Sequence, residues 1–245
     1  LIGVQASGFY DNSDKIVKII LAVVTATGTV LLPHSAHSYS QGRYDIIETS
    51  LDRSMHFILL LAFPLATGLA GVAPLFTHIF FGKGFSPVSD LLIIESIVIV
   101  LVGISNAVGV QYLLPTNQLK TFTTSVIFGA LVNIFLNLPL ILLFQSDGAM
   151  VATVLSELLV TVYQLIKVKQ QIDVFKLFRE VWKYAFSAFA MGILVRIFTM
   201  ILPIQSIALL LLAVLWGGVV YFLILGLLRP HELMQMILVL RKKSE

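Results

Sequence analysis

Polar residues interrupt an otherwise apolar chain at intervals, and the intervals match the length of a membrane crossing. A helix needs roughly 20 mostly apolar residues, at about 1.5 Å rise each, to cross hydrocarbon. Seven stretches meet that need: about Ile16 to Tyr39, His56 to Phe80, Val88 to Leu114, Phe122 to Phe144, Ala149 to Val168, Tyr184 to Leu202 and Ile207 to Leu228. The first is the most polar of them. The breaks between spans, Gly82-Lys83-Gly84-Phe85-Ser86-Pro87, Pro115-Thr116-Asn117, Gln145-Ser146-Asp147-Gly148 and Pro203, use residues with special backbone freedom or local hydrogen bonding. No alternating strand pattern and no low-complexity linker occurs. The pattern predicts an all-α fold, a polytopic transmembrane bundle of about seven helices.

Two segments outside the spans mix apolar and charged residues at helical spacing. Asp173 to Lys183 (DVFKLFREVWK) reads as an interfacial amphipathic helix, and Glu232 to Leu240, followed by Arg241-Lys242-Lys243, reads the same way.

Composition strengthens the membrane reading. The chain is 58% hydrophobic and 12% charged, whereas a soluble domain is about half apolar and about a quarter charged. A bundle in lipid must be as apolar outside as inside. Cysteine is absent, which excludes disulfides, thiolate metal sites and cysteine nucleophiles within this chain. The net charge of +3 is small, but its placement is informative. With the C-terminus in the cytoplasm, cytoplasmic segments hold Arg43, Arg53, Lys120, Lys167, Lys169, Lys176, Arg179, Lys183, Arg229 and the basic tail, and outer segments hold Lys15, Lys18 and Lys83. That bias follows the positive-inside rule and predicts a multi-pass protein of the cell membrane with a cytoplasmic C-terminus. The chain opens at Leu1 without a signal-peptide pattern, and reads as the later part of a longer protein.

Catalytic motifs are missing: there is no GxSxG, HExxH, Walker loop or glycine-rich dinucleotide turn. No enzyme activity, cofactor, metal or nucleic-acid partner is expected. The five histidines scatter near span ends; His34 and His37 share a helix face without a carboxylate to complete a metal site. Ionisable residues inside spans cost free energy and attract functional suspicion. Lys15 and Lys18 sit one turn apart in the first span, either lining a cavity that attracts an anionic head group or snorkelling to the interface beside Asp11 and Asp14. Glu95 and Glu157 lie deep in their spans, as an ion-coupling carboxylate or as one side of a structural pair. Arg196 reads as a structural partner. Asn133 and Asn137, at i,i+4 with Gly129 on the same face, hold helices together or line a cavity. Pro33 is the candidate for a functional kink.

The blocks GFYDNSDKIVKI (8–19), TVLLP (29–33), GLAGVAPLF (68–76), FFGKGF (80–85), SNAVGVQYLLPTNQLKTFTTSVIFGALVNIFLNLPLI (105–141) and GAMVATVLSELLVTVYQL (148–165) carry a resemblance. They are similar, in order, to the C-terminal half of polysaccharide-unit flippases (Wzx-type) of the multidrug/oligosaccharidyl-lipid/polysaccharide exporter superfamily. The QYLLP…VN…LN block is the most specific. One departure is His34, where a basic residue often follows the TVLLP-type proline. The resemblance implies a second lobe of five helices over 1–172, and an interfacial helix, two extra helices and a basic tail over 173–245. It implies a transporter that flips a polyprenyl-diphosphate-linked oligosaccharide from the cytoplasmic to the outer leaflet by alternating access. Its partners would be that lipid, the bilayer and the missing N-terminal lobe of the same protein. Lys15, Lys18, Asn133 and Asn137 would line the cavity, and Glu95 or Glu157 would couple an ion. The alternative within the superfamily is a cation-coupled multidrug or small-solute exporter.

Overall fold

In the computed structural model, residues 3–202 and 204–230 are described. They form α1 (Val4–Ser40), α2 (Tyr44–Phe81), a 3₁₀ turn (Lys83–Phe85), α3 (Ser86–Val108) continuing into a π-helical turn (Gly109–Leu113), α4 (Leu119–Val168), the one-turn α5 (Val174–Leu177), α6 (Val181–Ile201) and α7 (Ile207–Leu228). No strand occurs among the described residues. Five helical segments, including α2, α4 and α7, are long and apolar enough to cross a membrane.

The longest helix is two crossings in one. Its 50 residues would reach about 75 Å if straight, more than twice the hydrocarbon thickness of about 30 Å. Gln145 breaks it with φ 53° and ψ −127°. The two legs then run antiparallel. Gln164 Nε2 donates to Ser125 Oγ at 2.9 Å, Asn133 Nδ2 donates to Ser156 Oγ at 3.2 Å, and Gly129 abuts Val160. Every such pair is centred on residues 144 and 145, which is the register of a helical hairpin. Gly148 closes the reversal: a Cβ there would overlap the Leu140 carbonyl. The seven expected spans thus map onto α1, α2, α3, the two legs of α4, α6 and α7.

Helix ends overrun the apolar windows. The first span is expected from Ile16, yet α1 starts at Val4; the second is expected from His56, yet α2 starts at Tyr44. Hydropathy marks where lipid lies, whereas the hydrogen-bond ladder continues wherever side chains still pack. Ile47, Leu51 and Met55 are fully buried in the core, and Phe9 meets Phe85 edge-on at 5.4 Å. The interfacial helix expected over Asp173 to Lys183 is shorter than expected. Asp173 caps Val174–Leu177, Leu177 is buried, and the chain then turns into α6 at Val181. The basic segment after residue 230 lies outside the described residues.

At the centre stands α3, packed on α1, α2 and α4. α6 crosses α2 where Gly71 meets Gly192: a Cβ on either would come within 3.0 Å of the opposite backbone. Small residues allow such close approach in lipid, where van der Waals contact replaces the hydrophobic effect between helices. α7 packs on α6 and reaches α2 through Tyr221 OH, which donates to the Leu60 carbonyl at 3.0 Å. Successive reversals bring Arg43, Lys120, Lys167, Lys183 and Arg229 to one end of the bundle, where Lys183 Nζ lies 3.4 Å from the Arg229 carbonyl. The α2–α3 turn, the α4 reversal and the α6–α7 link lie at the other.

The absence of native cysteine makes the hairpin register directly testable. Ser125→Cys paired with Gln164→Cys should cross-link on mild oxidation, and Ser125→Cys paired with Thr153→Cys should not. Gly148→Ala should lower unfolding stability in detergent by about 1–3 kcal/mol, as overpacking does. Gly218→Ala, which meets open space, should leave the melting temperature unchanged.

Candidate functional site

Between α1, α3 and the two legs of α4 lies a cleft of about 590 Å³ whose walls mix polar and apolar side chains. Its polar lining comes from four segments: Tyr10 on α1, Ser105 and Asn106 on α3, Asn133 on the first leg of α4, and Thr153, Ser156, Glu157 and Gln164 on the second. The antiparallel register explains the set. Residues one helical turn apart on each leg face their counterparts across the hairpin, so Asn133 and Gly129 oppose Ser156 and Val160.

A hydrogen-bond chain knits the wall. Asn137 Nδ2 donates to Asn133 Oδ1 at 2.7 Å, and Asn133 donates to Ser156 Oγ. Tyr10 OH and Thr153 Oγ1 are 3.0 Å apart, tying α1 to α4. Thr161 Oγ1 donates to the Leu101 carbonyl at 3.0 Å, tying α3 to α4. Two buried acceptors on the lining, Asn106 Oδ1 and Gln164 Oε1, have no hydrogen-bond partner among the described residues. Glu157 is half-buried and makes no ion pair among the described residues. One carboxylate among amides and hydroxyls, with spare acceptor oxygens, can coordinate a cation or a proton and can bind polar ligand groups.

The sequence-selected residues fall into two groups. Asn133, Asn137 and Glu157 meet at the cleft. Glu95, 2% exposed, belongs to a neighbouring cluster against α1. Ser13, Asp14 and Lys18 surround it, and Tyr10, close to Glu95, Asp14 and Lys18, links that cluster to the cleft. Lys18 Nζ is 2.6 Å from Asp14 Oδ2, so its charge is largely matched. Lys15 is exposed on the same face of α1 and makes no ion pair among the described residues. Pro33 sits within a helix that continues to Ser40, and the His34 side chain lies outside the described residues. Arg196, expected near mid-membrane with a structural partner, stands five residues before the end of α6 and forms no ion pair among the described residues. Sequence reasoning misses Tyr10, Asn106, Thr153, Ser156 and Gln164. Once the Gln145 break is read as a hairpin, pairing residues about it finds Ser156 and Gln164, but nothing local marks Tyr10.

The family model described as "Lipid II flippase MurJ" matches residues 3–228. The lipid II flippase MurJ of Bacillus subtilis is 28% identical over 222 residues, covering 84% of this chain and 40% of that protein. The probable low-salt glycan biosynthesis flippase Agl15 of Haloferax volcanii is 25% identical over 224 residues, covering 91% of this chain and 47% of that protein. Among solved structures, the lipid II flippase MurJ in an inward closed conformation superposes with a TM-score of 0.78 at 16% identity, over 91% of this chain and 47% of that one. The chain spans less than half the length of these relatives.

Asn133→Ala removes the bond to Ser156 and the acceptor of Asn137. It should lower unfolding stability in detergent by about 1–2 kcal/mol, at the upper range for interhelical bonds in lipid. Asn137→Ala, which removes only one of those bonds, should cost about half as much, and equal losses would contradict Asn133's place in the middle of the chain.

Proposed function

The chain belongs to the MurJ lipid II flippase family, and on that premise we propose that it forms one lobe of a transporter for polyprenyl-diphosphate-linked saccharides. The cargo would be carried from the cytoplasmic to the outer leaflet of the cell membrane. The observation that carries this reading is the polar cleft inside an otherwise apolar bundle. A charged, hydrated head group cannot enter about 30 Å of hydrocarbon unaided. A cavity that supplies hydrogen-bond partners replaces its water, and the apolar tail stays in the bilayer.

The cargo is amphiphilic, and so is the protein. Apart from the cleft, and sharing no lining residue with it, lies an apolar cavity of about 300 Å³ between α2, α6 and α7, with Ile20 of α1, Leu65, Val72, Met191, Val195 and Ala213 on its walls. It suits a hydrocarbon tail. The outward face of α1 presents Lys15 and Lys18 and then apolar Ile19 and Val23. Both legs of α4 are apolar and outward-facing over most of their length. In our proposal the α1 side of the cleft faces the N-terminal lobe of the same protein, which completes the cavity. Lys15, the lysine without a matched charge, draws the diphosphate. Glu157 carries a coupling proton or cation, and Glu95 sets the charge state of the Lys18 cluster. The cationic end of the bundle faces the cytoplasm, following the positive-inside rule. No catalytic step is proposed: the cleft's residues bind and release.

Within this class the sequence blocks favour an oligosaccharide repeat unit destined for cell-surface polysaccharide. The family model and the Bacillus relative favour a peptidoglycan precursor. The shared head-group chemistry is a diphosphate bonded to sugar. Cells lacking the complete gene distinguish the two. Lipid-linked repeat units accumulating on the cytoplasmic leaflet, with loss of surface polymer, identify the first cargo. Accumulating lipid-linked peptidoglycan precursor identifies the second. Normal levels and sidedness of both would overturn the flippase reading. In cells, Lys15→Gln and Glu157→Gln should each slow flipping roughly tenfold, the effect of about 1.4 kcal/mol, with membrane insertion unchanged.

A further inference from the structure

Away from the cleft, α2, α3 and α6 enclose a second polar cavity of about 290 Å³ at the end opposite the cationic one. Gly82 shapes it: φ +84° with ψ −176° is open to glycine and strained for other residues. The chain therefore ends α2 abruptly, passes through Lys83–Phe85 and starts α3 at once. The first turn of α3 has no side-chain cap, so its backbone N–H groups are unsatisfied by side chains. Ser86 and Ser89 of that turn line the cavity, with Thr77 and His78 from α2, Lys83 from the turn and Arg196 from α6.

Two donors there are unmatched. Thr77 is 2% exposed and its Oγ1 has no hydrogen-bond partner among the described residues. Arg196 stands about 7.5 Å from the end of α6 at 1.5 Å per residue, half-buried and without an ion pair among the described residues. A buried hydroxyl and a guanidinium without partners are both costly, and one ligand rich in acceptor oxygens relieves both. Asp90, exposed at the rim, is the one carboxylate lining the cavity, and Lys83, also exposed, offsets it. Of the lining lysine, arginine and carboxylate side chains, Arg196 is then the one left over, and it suits an anionic ligand.

The cavity does not end at Arg196. An adjoining space of about 220 Å³ shares Pro74, His78 and Arg196 and continues past Thr199 and Met200 to Leu202 and Ile204. Met200 and Ile204 are 69% and 60% exposed. A path of mixed lining, with Thr199 and Gln205 beside Leu75, Met200, Leu202 and Ile204, thus leads from the charged donor out to exposed apolar side chains at the surface. We infer that this pocket binds a phosphate-ester anion, with Arg196 as its charged donor and Thr77 as its neutral one. The exposed Met200 and Ile204 at its mouth make that anion the phosphodiester head group of a membrane lipid held at that leaflet. The site is separate from the cleft: Ser89 and Ser105, one from each, are about 24 Å apart along α3.

Native mass spectrometry of the complete protein, released from detergent with phosphatidylglycerol, tests this. Wild type and the control Arg43→Gln, at the other end of the bundle, should retain the lipid. Arg196→Gln should bind about tenfold more weakly and Thr77→Val roughly threefold more weakly, the losses of a charged and a neutral hydrogen bond. Thr77→Val preserves shape, so it decides the matter even if Arg196→Gln fails to fold. Lipid binding that resists excess inorganic phosphate supports the head-group source. Displacement by inorganic phosphate, with the same dependence on Arg196 and Thr77, supports the same site with a free phosphate as its ligand. Unchanged binding in folded Thr77→Val and Arg196→Gln, or no binding of either ligand by wild type, overturns the inference.

Discussion

Inside hydrocarbon a polar group has no water to bond, so its partner must come from its own helix, from the next helix or from a ligand. That constraint orders this molecule. Backbone groups are satisfied by helices over nearly all the described chain. Hydroxyls along the helices bond mostly to carbonyls three or four residues back, as Thr25, Thr67 and Ser187 do. Longer side chains reach across: Gln164 to Ser125, Asn133 to Ser156, Tyr221 to Leu60. Asn106, Gln164 and Thr77 keep unpartnered oxygens, and all three line polar cavities, where a ligand or an ion can supply what the protein does not.

Close packing sets where those cavities lie. α6 can lie against α2 because Gly71 and Gly192 remove the side chains between the backbones. Gly103 of α3 does the same against Ile58 and Val24. These contacts fuse α1, α2, α3 and α6 into one body. The α4 hairpin leans on that body mainly through α3 and leaves room for the polar cleft. α7, apolar on all sides, adds the wall that closes the apolar cavity. The two cavities differ in character, one bearing polar side chains and the other almost none, which is the feature the proposed amphiphilic cargo draws on.

Much of this was legible in the residues. Seven apolar runs became seven helical stretches because hydrocarbon sets a fixed length and tolerates few charges, although α1 is not among the five segments apolar enough to cross. Gln145-Ser146-Asp147-Gly148 announced the hairpin, since those residues favour a reversal. Asn133, Asn137 and Glu157 stood out because a buried amide or carboxylate is expensive in lipid. Helix ends were less legible: Val4 to Lys15 and Tyr44 to Met55 are too polar for a hydropathy window, yet are held helical by tertiary contacts at Phe9, Ile47 and Leu51.

Sequence alone therefore determined the fold class, the succession of apolar helices, the collection of cations at one end and a kinship with lipid-linked flippases, because each depends on local composition and spacing. It pointed to Wzx-type flippases, whereas the matching family is that of MurJ. Tertiary structure decided which polar residues meet. Tyr10 joins Thr153 across 143 residues of chain, Lys18 is matched by Asp14 while Lys15 is not, and Arg196 shares a cavity with Thr77 without forming an ion pair among the described residues. Those pairings follow from helix rotation and crossing, which are set by the summed packing of the whole bundle and by no single segment.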